Sequence, residues 1–494
     1  MSRAVATVCL VLVSLVGCDV STSRQTAVVG AIVEGDLAFS RSRPTLLEGK
    51  YARMARDVYA YYRGSLAVYR ADVRDPSTGI GTTRFRADGV LPMSLGDPHP
   101  ENFGLLQGPD RTLALEPNDF DAADRYPYTW DLRRLTVGMV LAVRASNQGD
   151  EDARARAAAA SALVVESTVR GYADALHELA AGAPPARVDT DLGQTVLTDL
   201  FRRGLRDAAA RAELGALTVL EGDRVRRFRL GVLDPAEPEH ALRALPAGVA
   251  GSIPALLTAY RDGLQRAPGP RDLEVLDAVR EFGSGVASWP RVRVLVLVRG
   301  PTDDPADDEV LQIKEELESG ADGWLPPGTY YDDPAARIVA TTRAAWASPD
   351  AEPWWGAHPS WLGWPVEIRR EAEAHKTLRV ARLVGERGTP EALLELGATL
   401  GALLARVHAS PGPRSGSPAA VIDAVLERDR AGFIDDEVNA ALAYALRVEA
   451  DWSLFRAALR RLGPTLGVPS DAADRPSADV RALFGTPEPV QPWE

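Results

Sequence analysis

Two short polar loops joined by a spacer that can fold back on itself constrain this chain more than any other feature. The first is Ser94-Leu95-Gly96-Asp97-Pro98-His99-Pro100-Glu101-Asn102-Phe103-Gly104, and the second is Asn118-Asp119-Phe120-Asp121. Between them, Phe103 to Leu106 and Thr112 to Leu115 flank the turn Gln107-Gly108-Pro109-Asp110-Arg111. That pattern predicts a short hairpin which returns the chain to its starting level and sets Asp119 beside Asn102. Magnesium is a hard ion that takes oxygen ligands, usually one or two carboxylates plus substrate phosphates, so Asn102 and Asp119 are apt partners for it. Asp97 is then left to act as a base.

The chain around these loops has ordinary globular composition. Its 494 residues are 46% hydrophobic and 25% charged, enough for two or three lobes. A formal net charge of -13 argues against nucleic acid as a partner, because phosphate-backbone binders present a clustered basic face. The first residues are Met1-Ser2-Arg3 followed by an apolar run from Ala4 to Gly17, shorter than the roughly 20 residues that span a bilayer. Residues 1–17 therefore read as a secretory signal. The run closes on Leu15-Val16-Gly17-Cys18, which resembles the lipobox of bacterial lipoproteins, and this implies a lipid on Cys18 and attachment to a bacterial membrane in the cell envelope, on the periplasmic side. Cys9 and Cys18 are the only cysteines, so a chain beginning at Cys18 has neither a disulfide nor a cysteine metal site.

Periodicity predicts an α+β fold that is mostly helical, with a small antiparallel sheet. Residues 18–45 read as a tether with little structure, and Leu46 to Tyr69 as one helix with an inward apolar face. The alanine-rich stretch Asp150 to Gly182 is a further helix, and others are expected at 191–214, 253–265, 271–281, 391–409, 418–431 and 436–462. The strand signals are Arg291 to Arg299 (RVRVLVLVR) and Val310 to Lys314, which predict an antiparallel pair across the acidic turn Thr302 to Glu309. These signals divide the chain into a helical lobe with the polar loops over 46–270, a smaller sheet-containing lobe over 271–385, and a helical part over 386–494 that packs on the first lobe.

The pattern G-D-x-H-x-x-N, a hairpin, then D-F-D is similar to the catalytic and metal loops of aminoglycoside-phosphotransferase-like kinases. Closer still is the bacterial domain of unknown function 2252 family, which shares GDxHxxNFG, NDFD and the following W-D-L-x-R-L, here Trp130-Asp131-Leu132-Arg133-Arg134-Leu135. The resemblance implies a kinase-like two-lobed fold. It also implies Asp97 as the base that orients the acceptor hydroxyl, with Asn102 and Asp119 as magnesium ligands. By the same resemblance His99 braces the loop, Asp121 assists the metal, Asp131 holds loop amides at the start of a helix, and Arg134 is structural at the site. Such kinases usually carry histidine two residues before the base, where this chain has Leu95.

Lysine usage adds a second line. The chain has 56 lysines and arginines, yet only Lys50, Lys314 and Lys376 are lysine. Lys314 ends the apolar strand VLQIK, where a kinase lysine contacts the phosphates of ATP or another phosphate donor. Gly283 and Gly285 ahead of the RVRVLVLV strand are candidates for a phosphate loop, with a plain turn as the competing explanation. Kinases pair the strand lysine with a helix glutamate, but the corresponding residue here is Ala340, which leaves Glu315, Glu316 or Glu318 to substitute.

Lys314 follows Asp97 in the chain, the reverse of the kinase order, while the helix ending Leu396 to His408 resembles the one that directly precedes a kinase catalytic loop. The resemblance therefore implies a circular permutation, with Lys314 facing Asp119 across a cleft and within about 15 Å of it, the scale of one Mg-phosphate group. Three readings follow: a magnesium-dependent phosphotransferase, a pseudokinase-like envelope protein that binds an unknown small molecule without turnover, and a hydrolase that uses Asp97, His99, Asp119 and Asp121 to hold a metal and activate water. His408, on an apolar helix, reads as a satisfied packing residue.

Overall fold

The computed structural model describes residues 22–107, 112–146, 151–189, 195–222, 225–235, 237–264, 273–320, 333–347, 354–383, 385–410 and 417–467. Cys18, the hairpin turn at 108–111 and the stretch 321–332 lie outside the described residues. The chain is an α+β protein. It separates into two compact units, one of residues 1–79, 285–290 and 444–494, the other of residues 80–284 and 291–443.

The first unit is helical and corrects two expectations. Residues 22–35, read as part of a tether, form a helix, with Val28 and Ile32 one turn apart and fully buried. Arg24 fastens it by donating to Asp72 at 2.7 and 2.6 Å and to Asp451 at 2.9 Å. Leu46 to Tyr69 is not one helix but parts of three, Pro44–Arg56, Val58–Gly64 and Leu66–Arg74. Asp57 makes the first break, because its extended backbone ends one helix while its carboxylate caps the next through the amide of Ala60 at 2.7 Å. Lys50 is buried and spends its ammonium on Asp36, at 2.7 and 2.8 Å.

In the second unit a seven-stranded antiparallel sheet runs in the order Gly356–Trp361, Trp364–Arg370, Glu309–Glu315, Arg293–Val298, Val275–Phe282, Glu237–Ala244, Gly231–Asp234. The expected pair is there, with Val294 opposite Ile313 and Val296 opposite Leu311. The sheet is nevertheless larger than expected. Residues from 273 onward, expected to be helical, form the strand Val275–Phe282, and 231–244, within the lobe read as helical but given no helix of its own, supplies two more. Alternation divides the sheet into faces. Leu295, Leu297, Val279 and Val310 share a core with Leu214, Leu217 and Phe228. Along the same face the character changes, since Leu295 lies opposite Gln312 and Gln312 opposite Arg369, while Arg293 lies opposite Lys314 and Lys314 opposite Glu367.

The helices Tyr128–Ser146, Glu151–Ala180 and Pro390–Ala409 form the helical core of this unit. The last is apolar and long enough to cross a membrane by length and composition, but 72% of that stretch is buried in the protein. It crosses Glu151–Ala180 at close range, because a Cβ on Gly401 would sit 2.1 Å from the Thr168 carbonyl and one on Gly171 would sit 2.3 Å from that of Ala398.

Candidate active site

The first polar loop is held at its base. Met93–Ser94 pairs with Asp124–Arg125, so the loops after 94 and before 124 run side by side. Gly96 permits that approach: its φ is +75°, and a Cβ there would lie 2.1 Å from the Ala122 carbonyl oxygen. Asp131, in the first turn of Tyr128–Ser146, accepts the amides of Leu95 at 2.6 Å and Gly96 at 3.0 Å. Behind it stands His408, fully buried, with Nε2 3.4 Å from Asp131 and Nδ1 2.9 Å from the Tyr172 hydroxyl. Arg134, one helical step on and 1% exposed, donates Nε–H to the Asp97 carboxylate at 2.7 Å. The Asn102 amide donates to the Asp97 carbonyl at 2.8 Å, leaving its side-chain oxygen as the atom it can offer a cation. His99 is buried over Gly138, where a Cβ would meet its own at 3.3 Å.

The hairpin is formed by Phe103–Gln107 and Leu113–Pro117, with Lys376–Thr377 as a third strand. Its open end closes through the Asn118 amide, which donates to the Asn102 carbonyl at 3.1 Å, so Asp119 follows directly on a residue bonded to Asn102. The Asp119 carboxylate accepts the Asp121 amide at 3.1 Å and shapes the turn. Arg337, which is almost fully buried, clamps that turn from outside by donating to the carbonyls of Asp121 and Leu317, each at 3.0 Å, and to that of Ala123. Arg337 was missed as a site residue because its partners are backbone atoms, which leave no pattern in sequence.

Lys314 joins this group from the sheet. Its ammonium contacts Asp121 and lies 3.0 Å from Glu316 and 3.3 Å from Glu367. Arg291 bridges the same carboxylates, at 3.0 Å from Asp121 and 2.6 Å from Glu316. Burial would raise Asp121, but Arg291 and Lys314 outweigh it and hold the carboxyl far below the usual range. Burial raises Asp119, and the negative charge of Asp121 adds to the effect. Burial would lower Lys314, yet Asp121, Glu316 and Glu367 hold its ammonium above its ordinary value. Glu316 is pushed well up by burial and then by Asp121, which favours its neutral form.

The cluster revises the expectations for individual residues. Asp121 gives one oxygen to Lys314 and the other to Arg291, and with Glu316 and Glu367 it brings carboxyl oxygens within 4.8 Å of one another, an acidic group that could hold a cation and that the Lys314 ammonium faces. The carboxyl groups beside Lys314, in addition to that of Asp121, are those of Glu316 and Glu367. Glu315 is turned away by strand alternation and accepts the Val292 amide at 2.8 Å. Glu367 and Arg291 were overlooked, although Glu367 sits opposite Lys314 in register. Gly283 and Gly285 both have positive φ, +80° and +79°. A Cβ on Gly283 would lie 2.3 Å from the Glu239 carbonyl, so a close backbone approach accounts for that glycine, and the Gly285 carbonyl accepts Arg53 at 3.1 Å. Neither observation involves Lys314.

Beside the cluster, on the charged part of the sheet face, lies a cavity of about 370 Å³ whose lining includes Asn118, Gln312, Arg369 and Lys376. The first loop is thus joined to the second through the backbone bond from Asn118 to Asn102, the second meets the buried Lys314 through Asp121, and of these loops Asn118 lines the cavity. The family model that matches the chain, described as an uncharacterized protein conserved in bacteria (DUF2252), covers residues 41–458, and the chain belongs to that family. No curated protein matches it, and no solved structure does.

Proposed function

We propose that this protein is a kinase-like, magnesium-dependent phosphotransferase with a permuted chain order, carried in the cell envelope on a lipidated Cys18. The observation that carries the catalytic reading is the contact of Lys314 with Asp121, two residues from Asp119, since phosphoryl transfer needs a fixed cation beside the metal-holding oxygens. Asn102 and Asp119 would hold magnesium, which would supply neutralisation of the donor phosphates. Asp97, oriented by Arg134, takes the proton of the acceptor hydroxyl. Lys314 offers its ammonium to the phosphoryl oxygens, and Glu316 and Glu367 keep it aimed.

A pseudokinase-like binding protein is the second reading. What favours it is that Lys314 already has three carboxyl partners, so a bound phosphate must compete for it. Incubation of the purified protein with magnesium, labelled ATP and cell-envelope extract separates the two. The first reading expects label transfer that drops at least about a hundredfold in Asp97→Asn and in Lys314→Met. Magnesium-dependent nucleotide binding without transfer would instead establish the second.

A further inference from the structure

The cavity beside the cluster is electropositive in a protein that is strongly acidic overall. Six cationic side chains line it, Arg203, Arg293, Arg369, Lys376, Arg379 and Arg382, against the three carboxyls of Glu213, Glu281 and Glu371. The chain as a whole carries -13. Glu281 faces His240 at 2.9 Å and Glu371 lies 3.9 Å from Arg369, while three of the cations also have carboxylate partners, Arg203 with Asp199 at 3.1 Å, Lys376 with Asp207 at 3.4 Å and Arg379 with Glu101 at 3.3 Å.

Two neighbouring groups register the same field. His375, in the lining, is held well below the ordinary histidine range by burial and then by Arg370, Arg369 and Lys376. Arg203 is lowered by burial and then by Arg382. Burial is the larger cause in both, and the neighbouring cations add to it, although Asp199 at 3.1 Å partly offsets the effect on Arg203.

We propose that this cavity binds a compact polyanion, a phosphorylated or polyphosphate small molecule, through Arg369, Lys376, Arg379 and Arg382. The physical case is focusing. A concave site lined by one sign of charge concentrates ligands of the other sign, and guanidinium groups match phosphate oxygens in pairs. Lys314 lies along the same sheet face as Arg369 by register, Lys314 and Gln312 alternating on one strand and Glu367 and Arg369 on the next. A ligand filling the cavity with one end toward Lys314 therefore meets cations at both ends, which an uncharged base at the far end would leave unanswered. The proposal goes beyond phosphoryl transfer, because the cavity retains this preference whether or not a phosphoryl group moves.

The test is titration calorimetry of the full chain with inorganic tripolyphosphate, ATP and adenosine, each at two salt concentrations. Tripolyphosphate is expected to bind with an affinity that weakens as salt rises, and adenosine to give no heat. The double variant Arg379→Ser/Arg382→Ser, at exposed positions, is expected to weaken tripolyphosphate binding at least about tenfold, and because Arg379 also pairs with the buried Glu101 the single variant Arg382→Ser is expected to weaken it in the same direction with an unchanged melting temperature. Asp97→Asn, outside the lining and assigned to the acceptor hydroxyl, is expected to keep tripolyphosphate affinity within about twofold while losing transfer, which separates this proposal from the catalytic one. Adenosine binding as tightly as ATP, no tripolyphosphate binding, or an unchanged affinity in the double variant would each overturn it.

Discussion

Glu371 shows how a single side chain carries the electrostatics of its surroundings. Burial pushes its carboxyl up to about 7, with Glu281 and Glu213 adding to the shift and Arg369 and Arg293 opposing it. The unfolded chain would ionise this group near 4.5, so between there and about 7 the folded state binds the extra proton. Where the folded state holds more protons, stability falls as pH rises, so this group penalises folding increasingly across that window. Glu371→Gln should therefore flatten the decline of the melting temperature between pH 4.5 and 7, as read by calorimetry. An unchanged slope would mean that the carboxyl ionises normally. Much of the loop geometry was readable at this scale, since the hairpin that carries Asn102 to Asp119 follows from alternation and a turn. Partners that act through the backbone, Arg337 above all, were not readable, because a carbonyl oxygen is the same in every residue.

Elements were readable where local and tertiary preferences agree. Glu151–Ala180 and Arg293–Val298 are such cases, one alanine-rich and the other alternating valine with leucine. Val275–Phe282 is the opposite case. VLDAVREF has residues that favour a helix, yet it lies between two strands that need its amides and carbonyls, and ladder pairing overrides the weak local preference. The 22–35 helix escaped notice because its apolar stripe is narrow, and the Arg24 ion pairs add what the stripe lacks. Close helix crossing makes a separate prediction. Gly401→Val should cost about 1–3 kcal/mol in urea denaturation, because the added atoms overlap the Thr168 carbonyl and the helices must part. Gly251→Ala, in a helix with nothing within 4 Å of its Cβ position, should stabilise by about 0.5–1 kcal/mol. Gains at both sites would show that glycine's poor helical propensity, not crossing distance, governs the result.

At the scale of the molecule, the beginning of the first helix bears on how an acylated chain would stand on a lipid surface. Cys18 and Thr22 are separated by residues 19–21, and the four steps between them can reach no farther than about 14 Å in any conformation. Thr22, the first described residue, is already helical, and Arg24 two residues on is fastened to Asp72 and Asp451. A lipid at Cys18 would thus moor the first unit with no slack, riding at headgroup height like a boat on a short chain. Energy transfer from a dye on Thr26→Cys to a bilayer probe should be strong in the acylated protein, fall when about twenty glycine and serine residues are inserted after Asp19, and vanish with Cys18→Ser. Transfer indifferent to the insertion would show that something other than the short leash sets that height.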